Sequence, residues 1–290
     1  MRRPRTVRQT TFPQHDLEVL GGMRLRYVDV GPNNGKPPLV LLHGLASRIE
    51  EYDDIIPAFA KERRVLVLDL PGNGYSDHPD RPYTLEFFED SVLAFLDALD
   101  VHEAVLGGGS LGGNLTIRLG HRAPERFTHL AAWAPAGVWN RLPHFELLAR
   151  IFQVLKPFWP VMWVQSRFWY RPEWPGRERA LSEAFAHYKE IMSRGFLRMY
   201  FDLGVEQAKW SLFPLAPKIK QPTLILWGDQ DHALDMGNGV KKLAKLMPNA
   251  LLHVFPGARH SLANEVPDEL CAKVAEFMAG GQVAASATAA

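Results

Sequence analysis

The chain has 290 residues, 47% of them hydrophobic and 22% charged, with a formal net charge of +1. This is globular composition with enough apolar residues for a large core, and the near-zero charge gives no footing for nucleic acid or a strongly acidic partner. A single cysteine, Cys271, excludes an internal disulfide and fits a reducing, cytoplasmic compartment, and no apolar run is long enough to predict a membrane span.

Along the chain, Met1-Arg2-Arg3-Pro4-Arg5 is basic with no apolar run behind it, so residues 1–16 read as a flexible tail rather than a secretory signal. Strands are expected over Arg24–Val30, Leu39–Leu42, Val65–Leu70, Ala104–Gly107, His129–Trp133, Thr223–Trp227 and Leu251–Phe255. Most are near-continuous apolar runs, as strands covered on both faces require. Between Thr84 and Leu99 the residues Leu85, Phe88, Val92, Phe95, Leu96 and Leu99 recur at three- and four-residue steps behind a Thr N-cap, which predicts a helix. The alternation of short strands with helical patterns predicts an α/β fold, a mostly parallel sheet with helices on both faces.

The stretch from Ala134 to Thr223 shows no strand and is too long for a structureless loop. Six of the eight tryptophans lie in it, together with Phe152, Phe158, Phe168, Tyr170, Phe185, Tyr188, Phe196, Tyr200 and Phe201. Residues 137–221 therefore read as a helical cap inserted into a core formed by 17–136 and 222–278. Its aromatics serve as the core of the insert, as pocket lining, or, around Phe158-Trp159-Pro160-Val161-Met162-Trp163, as a face for an interface. A helix over Asp268–Met278 places Cys271 in the core, and residues 279–290, almost all small, read as a disordered tail. Oligomeric state is not legible.

Gly108-Gly109-Ser110-Leu111-Gly112 lies between an apolar strand and a helical run, which is the pattern of a nucleophile elbow. Gly108 and Gly112 leave room for a turn too tight for a Cβ. A hydroxyl nucleophile needs a base, and the base an orienting acid, in the chain order Ser, acid, His. Thr223–Trp227 runs into Gly228-Asp229-Gln230-Asp231-His232, and Leu251–Phe255 into Pro256-Gly257-Ala258-Arg259-His260. Ser110, an acid at Asp231 or Asp229, and His260 thus fall on loops at carboxyl ends of strands, where open α/β sheets bind ligands. Two backbone donors are expected for an oxyanion, the N–H of Leu111 and that of Leu45 in the loop His43-Gly44-Leu45-Ala46. No metal-ligand spacing, P-loop or dinucleotide fingerprint appears, so neither metal nor cofactor is expected.

Taken together, the His43-Gly44 turn, Asp69-Leu70-Pro71-Gly72-Asn73-Gly74-Tyr75-Ser76, the Ser110 elbow, and Trp227-Gly228-x-x-Asp231 with Gly257-x-x-His260 resemble the capped α/β-hydrolase superfamily over about Leu17 to Met278. The resemblance implies Asp231 as the acid, His260 rather than His232 as the base, and structural roles for His43, Asp69 and the Gly72–Gly74 loop; His253 lies within a strand. It implies a serine hydrolase, and the aromatic cap favours an esterase acting on a small ester with an apolar acyl or aryl group. The carbon–carbon bond hydrolases of ring-fission products are the nearest alternative. They tend to carry an H-G-x-G-P-G loop and a tryptophan after the histidine, whereas this chain has His43-Gly44-Leu45-Ala46-Ser47 and Ser261. A perhydrolase or acyltransferase would use the same three residues, and a small-molecule receptor would use the same fold with slow turnover.

Overall fold

A computed structural model describes residues 7–140, 143–232 and 238–280. Residues 1–6 of the expected N-terminal tail and 281–290 of the expected C-terminal tail lie outside them. Eight strands build one sheet: β1 Gln14–Val19, β2 Met23–Val30, β3 Leu39–Leu42, β4 Val65–Leu68, β5 Ala104–Gly109, β6 Phe127–Trp133, β7 Thr223–Gly228 and β8 Ala250–Phe255. Their order is β1-β2-β4-β3-β5-β6-β7-β8. The two pairings at the β1 edge are antiparallel and all others parallel, so the expected mostly parallel sheet is present.

β1 is the strand not expected from sequence, and it places ordered chain inside the tail assigned to residues 1–16. Gln14, His15 and Asp16 are exposed and only Val19 is buried, so this edge strand lacks the apolar run that marked the others. The chain is already held before it. Val7 is buried, and the Thr10 N–H donates to Glu50 Oε1 at 3.0 Å.

The helices are α1 Ile56–Ala60, α2 Leu85–Ala98, α3 Leu111–Arg122, α4 Pro143–Leu155, α5 Phe158–Gln165, α6 Arg177–Ile191, α7 Arg194–Lys209, α8 Gly239–Leu246, α9 Leu262–Glu265 and α10 Pro267–Met278. Thr84 caps α2 as expected, its side chain accepting from the Phe87 N–H at 3.1 Å, a contact worth about 1 kcal/mol. Successive strand residues point to opposite faces. Leu39, Leu41, Val65 and Val67 therefore pack with α1 and α10, while Val40, Leu42, Leu66 and Leu68 pack with α2 and α3. Cys271 is buried in the first of these layers.

Four helices, α4 to α7, occupy the interval between β6 and β7 where no strand was expected. Phe158 anchors them, with the rings of Trp159, Tyr188, Phe196 and Tyr200 at centroid distances of 5.0 to 5.4 Å. Phe196 and Tyr188 belong to the same buried cluster as Leu42 and Leu106 of the sheet, so the insert shares its core with the sheet's upper face.

Candidate active site

β5 ends at Gly109 and α3 begins at Leu111, leaving Ser110 alone in the turn. Its backbone sits at φ 55° and ψ −113°, a conformation that costs a non-glycine residue about 1–3 kcal/mol. The surroundings hold it there. The Ser110 N–H donates to Trp133 O at 3.0 Å, and Ser110 O accepts from the N–H groups of Asn114 and Ala136. A Cβ at Gly108 or Gly112 would stand 2.5 or 1.7 Å from Leu42 O, which gives the physical reason for glycine at both positions. From below, the Gly109 N–H donates to the Tyr52 hydroxyl, which in turn donates to Leu42 O.

Facing the elbow is the loop after β3. His43 donates from Nδ1 to Gly44 O at 2.7 Å and accepts at Nε2 from the Leu70 N–H at 2.9 Å, so both ring nitrogens are committed to the turn. Glu51 accepts from the Gly44 N–H, and Asn73 from the Ala46 N–H at 2.8 Å. The N–H groups of Leu45 and Leu111 carry no hydrogen bond to a described residue. Asp69 is fully buried and receives Arg26 Nε at 2.6 Å, the Ile49 N–H at 2.8 Å and the Tyr75 N–H at 2.7 Å, which joins the Gly72–Gly74 loop to this turn.

Asp231 and His260 meet across the ends of β7 and β8, with Oδ2 2.8 Å from Nδ1. Asp231 is 2% exposed. Asp229 points elsewhere and accepts the Gly257 N–H at 2.7 Å, fixing the turn before His260. Burial by itself would lower the His260 imidazole. The charge and hydrogen bond of Asp231, with Glu51 and Glu265 adding, outweigh it and hold the ring above its ordinary value of 6.5. His253 lies in β8 against the Phe255 ring, away from this pair.

Ser110, His260, His232, Gly44 and Leu45 line one cavity of about 390 Å³, roofed by Met162, Phe168, Trp169, Tyr170, Tyr188 and Tyr200 of the insert. A second cavity of about 290 Å³, apolar and lined by Trp139, Phe145, Leu148, Phe152, Val161 and Phe201, adjoins the first at Leu45, Gln165, Tyr200 and Gln207. The insert is tied down beside His260. The Ser261 N–H donates to Trp169 O at 3.0 Å, and Glu265 accepts the N–H groups of both Arg171 and Arg259.

Tyr52, Glu51, Asn73 and Glu265 were not singled out from sequence, and neither were Arg48 and His187, which also line the larger cavity. Apart from Asn73, which lies in the Asp69–Ser76 motif, none belongs to a short motif. Each reaches the site through tertiary packing, and only the Asn between Gly72 and Gly74 carried a local signal. Among the described residues no group of three or more potential metal ligands gathers, and no helix is long and apolar enough to cross a membrane.

A family model for the alpha/beta hydrolase fold matches residues 37–161 and 178–265. The chain is similar to the 2-hydroxymuconate semialdehyde hydrolase of a Pseudomonas species, at 26% identity over 298 residues covering 94% of this chain and 97% of that one. Among solved structures, the enol-lactonase of Burkholderia xenovorans superposes with a TM-score of 0.79 at 24% identity, covering 91% of this chain and all of that one. An N-acyl homoserine lactone degrading enzyme superposes with a TM-score of 0.77 at 25% identity and the same coverage.

Proposed function

The chain belongs to the α/β hydrolase family, and on that premise we propose that it is a serine esterase for carboxylic esters with an apolar acyl or aryl group. The observation that carries this reading is one cavity bearing a conformationally strained serine at a strand–helix turn and a histidine held through Nδ1 by a buried aspartate. Ser110 Oγ attacks the ester carbonyl carbon as His260 Nε2 takes its proton. Asp231 fixes the tautomer with Nδ1–H and stabilises the imidazolium. The tetrahedral oxyanion accepts the N–H groups of Leu45 and Leu111. Collapse expels the alcohol, protonated by His260. Water then attacks the acyl-enzyme, His260 takes its proton, and the acid leaves with Ser110 restored. The helical insert acts as a cap, and the apolar cavity adjoining Leu45 takes the hydrophobic group.

Initial rates on p-nitrophenyl esters from acetate to palmitate test the reading. Expected is turnover with a chain-length optimum, reduced about 10⁴-fold or more in Ser110→Ala, because serine, histidine and aspartate work as a unit. Turnover that survives in Ser110→Ala overturns it.

A second reading, hydrolysis of a carbon–carbon bond in a ring-fission-type diketone, is favoured by the 2-hydroxymuconate semialdehyde hydrolase relative. The loop His43-Gly44-Leu45-Ala46-Ser47 and Ser261 after the histidine depart from that branch. Release of a carboxylic acid from such a diketone with no turnover of any ester in the series would favour it.

A further inference from the structure

Arg48 lies three residues beyond Leu45 on the loop facing the elbow, 7% exposed, and lines the cavity that holds Ser110 and His260. Its Nη1 is buried with no hydrogen-bond partner among the described residues. Its carboxylate neighbour, Glu50, is mostly committed elsewhere. Glu50 takes two hydrogen bonds from Arg26, at 3.0 and 2.9 Å, and one from the Thr10 N–H, leaving Arg48 Nε a longer contact of 3.4 Å. On α6 and lining the same cavity stands His187, 2% exposed, with both ring nitrogens buried and likewise without a hydrogen-bond partner among the described residues. Burial and then the Arg48 cation push this imidazole down to about 2, so it is neutral and offers one N–H donor.

Two polar side chains, each more than nine-tenths buried and each with an unused donor, line the wall of one cavity. A buried donor left unpaired is destabilising, more so for a charged group. A guanidinium satisfies its fork best with a carboxylate, which accepts two parallel hydrogen bonds. We propose that Arg48 and His187 form a subsite for a carboxylate carried by the substrate, so that the ester cleaved at Ser110 is itself an acid. This rests on the serine-hydrolase reading above. Glu51 and Glu183 line the same cavity. Glu51 is turned onto the Gly44 N–H, and both repel an anion placed outside the reach of Arg48, which makes the subsite selective for position as well as for charge.

The test compares matched pairs of esters that differ only in a free or methylated carboxyl: mono-p-nitrophenyl glutarate against its methyl ester, and 4-acetoxybenzoate against its methyl ester. One pair places the acid on the acyl side, the other on the alcohol side. Expected is a preference for the acid in one pair, falling about ten- to hundredfold in Arg48→Gln, chiefly through KM. Arg48→Lys, which keeps the charge but loses the fork, falls between. His187→Phe reads the same ratio at the second member, so a folding defect in Arg48→Gln does not decide the matter. Acid-to-neutral ratios equal in the wild type and these variants, in both pairs, overturn the subsite. If the wild type turns over none of the four esters, the hydrolase reading fails, and glutarate binding by calorimetry decides the subsite separately. Binding to Ser110→Ala that weakens at least about tenfold in Ser110→Ala/Arg48→Gln supports it; no binding, or equal binding, overturns it.

Discussion

Asp229 and Asp231 stand two residues apart on one loop, yet their carboxylates do different work. Asp231 is buried against His260 Nδ1, while Asp229 holds the Gly257 N–H from the exposed side. Asp231→Asn is therefore expected to lower kcat by about 10⁴, because the amide favours the wrong imidazole tautomer. Asp229→Asn keeps an oxygen for Gly257 and is expected to stay within about tenfold of wild type, the loss of one charge-assisted hydrogen bond. Steady-state kinetics of the two variants on one ester check the ranking. The same histidine sets the pH dependence. His260 must be neutral to accept a proton, and its pKa in the fold is raised above 6.5. The neutral form is lost as pH falls through that raised value, so the acid limb of kcat/KM is expected above pH 6.5. A limb below it would contradict the influence assigned to Asp231. Ser110, Asp231 and His260 were legible in the sequence because each follows an apolar strand by only a few residues. Arg48 and His187 were not, because 139 positions of chain separate two residues that line one cavity only in the folded chain.

The elbow is set by backbone proximity of α3, β5 and β3 more than by any side chain. A Cβ on Gly112 would lie 1.7 Å from Leu42 O, and that oxygen belongs to a central strand that cannot yield without moving the sheet. Gly112→Ala is expected to cost at least about 3 kcal/mol in urea unfolding. Gly204 lies inside α7, and a Cβ added there would meet nothing within 4 Å, so Gly204→Ala is expected to gain about 0.5–1 kcal/mol from helix propensity. A mild Gly112→Ala would mean that the close approach of α3 to β3 is not what fixes the turn. β3, β4, β5 and β7 were legible because burial on both faces leaves near-continuous apolar runs. β1 escaped because Gln14-His15-Asp16 faces solvent at the sheet edge and has no alternation to read. Within the insert, α5 is apolar on every side, so its composition marked helix or core without showing which face turned to the cavity.

For the molecule as a whole, the decisive relation is the seam between the insert and the sheet. The interval of residues 137–221 was legible as an aromatic, strandless interruption, and α4 to α7 fill it. Its path over Ser110 was not legible, because it depends on contacts such as Ser261 N–H to Trp169 O and Glu265 to Arg171 that join residues about 90 positions apart. Phe158 and Phe196 are buried in the shared core, Tyr170 and Tyr188 line the cavity, and Trp159 and Trp163 are exposed, as are Leu147, Val154 and Leu155. Arg48 and His187 line the cavity that holds Ser110, the apolar cavity adjoins it at Leu45, and every step of the proposed chemistry depends on that serine being the nucleophile. Reaction with an alkyl fluorophosphonate, followed by intact mass and peptide mapping, tests this most directly, since the reagent bonds an activated serine oxygen with loss of fluoride. One adduct on Ser110, absent from Ser110→Ala and slow to form in His260→Ala, is the result expected. A wild-type chain that stays unlabelled, or a label that persists in Ser110→Ala, would contradict it.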